Sequence, residues 1–169
     1  PDWSRGLGDV YKRQDVEVLI PDFKGDRAAI NNIIEASPEV INHNLETVPR
    51  LQREIRTSAS YGRSLSLLHY VKSQGFEGKT KTGLIVGMGE SKEEVIAVLK
   101  DISKLDVDIV TIGQYLRPTA KHRPIDRYAP EEEFEHYKLI GESFGIPHVE
   151  SGPLVLSLIH ISEPTRPIR

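Results

Sequence analysis

The sequence predicts an α/β fold with parallel strands. Three observations predict it. Short β-branched runs alternate with amphipathic helical periods along nearly the whole chain. The connections are of ordinary length, which suits strand–helix–strand units with right-handed crossovers. Polar and glycine-rich residues gather just after four of the strands, and in a parallel sheet all four places lie on one side.

Val16 to Ile20 is apolar and β-branched and is stopped by Pro21-Asp22, so it is a strand. Asp26 to Ala36 is helical, with Ile30, Ile33 and Ile34 on one face. Val40-Ile41 is a short strand that runs into Asn42-His43-Asn44-Leu45-Glu46-Thr47, and Val48 to Ile55 follows as a short helix. Tyr61 to Gln74 carries Leu65, Leu68 and Val71 at helical spacing, with Ser60 as N-cap and Gly75 as stop. Lys81 to Val86 is the next strand. Ser91 to Ser103 is the plainest helix: Ser91 and Glu94 form a capping box, and Val95, Val98, Leu99 and Ile102 form the buried stripe. Val107 to Ile112 is a strand. Pro130 starts a helix through Phe144 with Phe134, Tyr137 and Gly141 inward, and His148-Val149 opens a last strand.

Composition bounds the function. The 169 residues suffice for one domain with a real core, and the net charge of -3 suggests neither nucleic acid nor an anionic membrane as partner. The apolar runs are too short to span a bilayer, and no signal peptide is visible. There is no cysteine, which removes disulfides, a thiol nucleophile and thiolate ligands for a metal. The six histidines show no metal-ligand spacing.

The two ends read differently from the middle. Ser4 to Gln14 and Leu156 to Arg166 can be encoded by one DNA sequence and its reverse complement, as in a translated sequencing adapter. Residues 1–14 and 156–169 are therefore expected to be non-native extensions, and residues 15–155 the natural part, cut by sequencing at both ends.

Chemistry is sought at the strand ends. The second strand presents amide, imidazole and carboxylate groups in Asn42 to Thr47, whose plain reading is a turn capped by Asn44 with Glu46 solvated. Gly87 and Gly89 lie between a strand and a capped helix, where a ligand can approach the backbone and a helix N-terminus favours an anion. The turn lacks the third glycine of a dinucleotide fingerprint and the lysine of a phosphate loop, so a simple tight turn explains it as well. Asp22 and Glu46 could form an acid–base pair. Arg56 ends a helix, where contact with the C-terminal dipole is the plain reading.

These runs, in this order, resemble the lipoyl synthase family of radical S-adenosylmethionine enzymes. The resemblance rests on Val16 to Phe23, Asn42 to Leu51, Lys81 to Glu90, Gly113 to Pro118 and Ser151 to Val155. Biotin synthase shares an Asn-His-Asn-Leu segment, but Gly113-Gln114-Tyr115 and Ser151 to Val155 favour lipoyl synthase. The resemblance implies a partial (β/α) barrel of the radical S-adenosylmethionine type. It implies S-adenosylmethionine and two [4Fe–4S] clusters in the full-length enzyme. It also implies insertion of two sulfur atoms into an octanoyl chain on a lipoyl-carrier protein, in the cytoplasm of a bacterial-type source. By resemblance, Asn44, Glu46, Arg56, Gly83, Gly87, Gly89, Gln114 and Tyr115 line the S-adenosylmethionine or substrate pocket. The chain departs from the family in lacking both cysteine triplets and the closing Arg-Ser-Ser-Tyr-His run, and Ser157 does not inherit that serine's ligand role. It is expected to be an inactive carboxyl-terminal half. The alternatives are biotin-synthase-like sulfur insertion, a non-catalytic adenosyl-binding module, and an aldolase using Lys79 or Lys81, both of which stand at the wrong end of their strand.

Overall fold

The computed structural model describes residues 15–155, and residues 1–14 and 156–169, with the expectation that they are extensions, lie outside it. Five strands form one parallel sheet in sequence order: β1 (Glu17–Leu19), β2 (Val40–Asn42), β3 (Lys79–Val86), β4 (Ile109–Gln114) and β5 (His148–Ser151). The helices are α1 (Arg27–Glu35), α2 (Gln52–Ile55), α3 (Tyr61–Ser73), α4 (Lys92–Ser103) and α5 (Glu131–Ser143). Each right-handed crossover steps the same way along the sheet, so the helices cover one face and the strand order never reverses. This is the winding of a (β/α) barrel, of which the sheet is an open part.

Sequence dictates the elements closely. Ser60 caps α3 by accepting from the Arg63 amide, and the Ser91–Glu94 capping box of α4 is complete. The α4 stripe of Val95, Val98, Leu99 and Ile102 is buried, as are Phe134, Tyr137 and Gly141 of α5. Several boundaries shift by a residue or two, and four of the differences have a clear cause. β3 begins at Lys79, because Thr80 and Lys81 are buried and laddered. β4 is displaced toward Gln114, whose pairing with Val86 prolongs it. Pro130 is the N-cap of α5 and not its first helical residue. The helix expected over 48–55 is a 3-10 turn at Pro49–Leu51 followed by one α-turn, α2.

Residues that share a register row in a parallel sheet share a face. Val18, Ile41 and Thr80 share one row, and Thr82, Val110 and Val149 share the next row on the same face, which faces the helices. Glu17, Asn42, Lys81 and Thr111 belong to the opposite, concave face. The Lys81 ammonium lies 3.2 Å from the Glu17 carboxylate, with side chains only 4% and 5% exposed, and the Asn42 amide donates to Glu17 at 3.0 Å. Lys81 is thus committed to a buried ion pair, which removes it as a free amine nucleophile.

Candidate active site

The ladder between β2 and β3 is interrupted where the polar cluster begins. Asn42 pairs with Lys81, and the next bridge joins Glu46 to Leu84, so four residues advance on one side and three on the other. The extra residue is accommodated by a side chain: the Leu45 amide donates to Thr82 Oγ1 at 3.3 Å. The Glu46 amide donates to the Gly83 carbonyl at 3.0 Å, and the Glu46 carbonyl accepts from Ile85 at 2.8 Å. Glu46 itself sits at φ 65°, in the left-handed region. Such a bulge re-aims side chains at the end of a strand, and Glu46 shares its positive φ with Phe23, Lys24, Ser37 and Asp106.

The bulge opens onto a cleft of about 360 Å³ lined by Leu19, Ile20, Pro21, His43, Asn44, Glu46 and Arg56. Asn44 is 6% exposed, its side chain acts to lower the Glu46 carboxyl, and its Oδ1 has no partner. An orphaned buried acceptor carries a full desolvation cost unless something fills the cleft. Burial pushes the Glu46 carboxyl up, opposed by Arg56 and by the Asn44 amide. Burial also holds the Arg56 guanidinium below its ordinary value, opposed by Glu46 and Asp22. The two charges attract across the cleft without a direct ion pair.

Arg56 is steered from behind. Its Nη1 donates to the Leu45 carbonyl at 3.2 Å and to Gln52 Oε1 and Ser64 Oγ at 3.3 Å each. Gln52 is fixed by donating to the carbonyls of Leu45 and Thr47 at 2.8 and 2.7 Å. All three Arg56 contacts leave from Nη1, so Nε and Nη2 donate to nothing among the described residues. They are available as a fork for an anion.

Asp22 does not join Glu46 as an acid–base pair. Burial acts to raise its carboxyl, but the Lys24 amide and Arg63 outweigh burial and hold it below its ordinary value. Arg63 Nε contacts Asp22 at 2.7 Å. The aspartate is therefore a structural anion that ties the end of β1 to α3.

The glycine turn is built for a protein group. Gly87 and Gly89 stand at φ 104° and 107°. The amides of Gly87 and Met88 donate at 2.7 and 3.0 Å to the carboxylate of Glu90, which is 5% exposed. The turn thus encloses its own anion. A Cβ on Gly87 would fall 2.3 Å from Gln114 Nε2 and 2.6 Å from the Arg127 carbonyl, so the close approach there is to the 115–129 loop. Gln114 clamps that loop, donating to the carbonyls of Tyr115 and Arg127 and accepting from the Ala129 amide at 2.9 Å. Tyr115 donates to the Arg123 carbonyl at 2.8 Å. Arg127 completes the loop's anchorage with a bidentate pair to buried Glu133 at 2.8 and 2.6 Å. Of the residues expected to line one pocket, Asn44, Glu46 and Arg56 line this cleft. Gly83 borders it through its backbone, and Gly87, Gly89, Gln114 and Tyr115 belong to the neighbouring strand ends.

Sequence reasoning missed Ser64, Gln52, Thr82 and the Glu17–Lys81 pair. A signal existed for the last: a lysine inside a buried strand requires a partner. Serine between Arg63 and Leu65 on a helix carried none.

No family model matches the chain. Curated relatives do. The chain is 52% identical over 154 residues to the lipoyl synthase of Rubrobacter xylanophilus, covering 91% of this chain and 48% of that protein. The chain is homologous to the lipoyl synthases. It is 52% identical to the mitochondrial lipoyl synthase of Nematostella vectensis, over 86% of this chain and 50% of the relative. For Chlorobaculum parvum lipoyl synthase the identity is 48%, over 92% and 53%. The chain spans about half the length of the lipoyl synthases it matches. Among solved structures, Streptococcus suis SuiB superposes with a TM-score of 0.64 at 11% identity, covering 82% of this chain and 33% of SuiB. SuiB bound to the precursor peptide SuiA superposes with a TM-score of 0.63, also at 11% identity, covering 82% of this chain and 32% of that one. Those two likenesses concern the fold. Among the described residues no group of three or more His, Asp or Glu side chains is arranged to hold a metal ion. No helix among them is long and apolar enough to cross a membrane.

Proposed function

We propose that this chain supplies the S-adenosylmethionine-binding part of a lipoyl synthase, a cytoplasmic radical enzyme that inserts two sulfur atoms into an octanoyl chain on a carrier-protein lysine. The observation that carries this is the cleft at the β2 bulge, where an orphaned buried amide oxygen, a strained glutamate and an unspent guanidinium fork converge. S-Adenosylmethionine offers an amino-acid zwitterion and a ribose diol, and when bound it supplies the deoxyadenosyl radical of the family's chemistry. Arg56 Nε and Nη2 would take its carboxylate. Asn44 Oδ1 would accept from its ammonium or a ribose hydroxyl, and Glu46 would accept from the other. The backbone at Gly83 would leave room for the adenosine, with Gly87, Gly89, Gln114 and Tyr115 shaping the adjoining wall. Apolar Leu19, Ile20 and Pro21 would keep water from the reacting end.

The iron–sulfur clusters of the family do not fit these residues, since the chain has no cysteine. The octanoylated carrier domain would approach from the same carboxyl ends of the strands. In the complete enzyme, Glu46→Ala is expected to weaken S-adenosylmethionine binding or turnover at least about tenfold, roughly 1.4 kcal/mol. Unchanged binding and turnover would leave Glu46 as a solvated strand end and remove the reading.

A further inference from the structure

We infer that Ser64 is a positioning residue for Arg56, acting through a hydrogen-bond chain of fixed direction from Arg56 to Ser64 to His43 to the Ile20 carbonyl. The inference rests on the cleft reading above. Its direction follows from donor and acceptor chemistry. His43 Nδ1 lies 2.9 Å from the Ile20 carbonyl, which can only accept, so Nδ1 carries the proton. His43 is 2% exposed, and burial disfavours a second proton on the ring. Nε2 is therefore an acceptor, and the Ser64 hydroxyl 2.7 Å away donates to it. That spends the only hydrogen on Ser64 Oγ and leaves lone pairs facing Arg56 Nη1 at 3.3 Å.

The chain joins three elements. Ile20 follows β1, His43 follows β2, and Ser64 is on α3 with 0% exposure. Without it, Arg56 retains the Leu45 carbonyl and Gln52 Oε1, at 3.2 and 3.3 Å. Both are made by Nη1, as is the contact to Ser64 Oγ at 3.3 Å. The two hydrogens of Nη1 lie in the guanidinium plane, so the place of Ser64 Oγ among these three acceptors helps to set the orientation of that plane, and so the aim of Nε and Nη2 into the cleft.

The test compares Ser64→Ala, Ser64→Thr, His43→Gln and His43→Asn in the complete enzyme. A glutamine can present an acceptor where Nε2 stood; an asparagine replaces only the Nδ1 donor. Ser64→Ala and His43→Asn are expected to raise the dissociation constant for S-adenosylmethionine about tenfold, with kcat at saturation within about twofold. Ser64→Thr and His43→Gln are expected to restore most of the affinity. Nitrogen-15 spectra are expected to show the His43 proton on Nδ1, with the Nε2 resonance shifting in Ser64→Ala. Wild-type affinity in Ser64→Ala, a loss matched by an equal loss in the threonine variant, or a proton on Nε2 would overturn the inference. If the wild-type enzyme bound no S-adenosylmethionine, the proposed function would fall, and the histidine spectra would still decide the direction of the chain.

Discussion

Glu46 holds two costs at one residue: a left-handed backbone at φ 65° and a carboxyl that burial pushes up. They separate by substitution. Glu46→Ala and Glu46→Gly both remove the carboxyl, but only glycine relieves the backbone, so the glycine variant is expected to exceed the alanine variant in stability by about 1 kcal/mol. Equal denaturant midpoints would show that the conformation is unstrained. His43 gives a pH dependence with a definite sign. Burial holds its imidazole below the ordinary 6.5, with the Ile20 contact and Asp22 opposing and Arg56 assisting. As pH falls, the unfolded chain takes up this proton before the folded one. The stability His43 confers is therefore whole above about 6.5 and is lost as pH falls toward its folded value, by at most about 1.4 kcal/mol per pH unit. Denaturant titrations at pH 7.5 and 5.5 are expected to show a smaller acid loss in His43→Gln than in wild type. The place of Asn44 and Glu46 at a strand end was legible in the sequence as polar groups after an apolar run. The chain from Arg56 through Ser64 to His43 was not, since Ser64 lies 21 residues from His43 and meets it only through packing.

The β2 bulge is the element on which the site depends, and Thr82 is its keystone. Thr82 is 0% exposed, and its hydroxyl replaces the missing ladder carbonyl for the Leu45 amide. Thr82→Val preserves shape and β-branching but leaves that buried amide unpaired, with an expected cost of about 1–3 kcal/mol, while Thr82→Ser is expected to cost much less. The denaturant midpoints of the two variants measure it, and equal midpoints would mean that the amide finds another acceptor. The glycine turn teaches the converse. Its spacing was legible, and so was the helix it feeds, but the occupant was not. Glu90 follows the glycines directly, and its carboxylate folds back onto the Gly87 and Met88 amides. A sequence pattern that offers backbone donors does not reveal whether a ligand or a neighbouring side chain takes them. Strands and helices were read almost to the residue because capping boxes and apolar stripes are local signals. The one-turn α2 was not, because Pro49 starts a 3-10 turn there and the helix has no side-chain cap.

At the scale of the molecule, the order of strands carries the argument. Among the described residues, five parallel strands in sequence order leave the outer sides of β1 and β5 unpaired. Val16 and Leu19, at and beside the β1 edge, are 48% and 51% exposed. The concave face carries a buried Glu17–Lys81 pair, whose desolvation is costly unless water stays excluded. An open sheet of this kind, made as these 169 residues, is expected to associate through its edges, which light scattering would detect as concentration-dependent growth in mass. Its chemistry is bounded more sharply still. On the proposed reading, cleavage of S-adenosylmethionine would require an iron–sulfur cluster, and iron–sulfur ligands are overwhelmingly cysteine. The chain contains no cysteine and six histidines, and no grouping among the described residues could substitute. On the reading proposed above, the cleft residues would bind and orient, while these 169 residues hold no thiolate for the cluster that would supply the electron. Anaerobic reconstitution of these 169 residues with iron and sulfide is expected to give neither stoichiometric cluster nor 5′-deoxyadenosine. A chain that took up one cluster per molecule and released 5′-deoxyadenosine from S-adenosylmethionine would show that ligands other than thiolates complete the site.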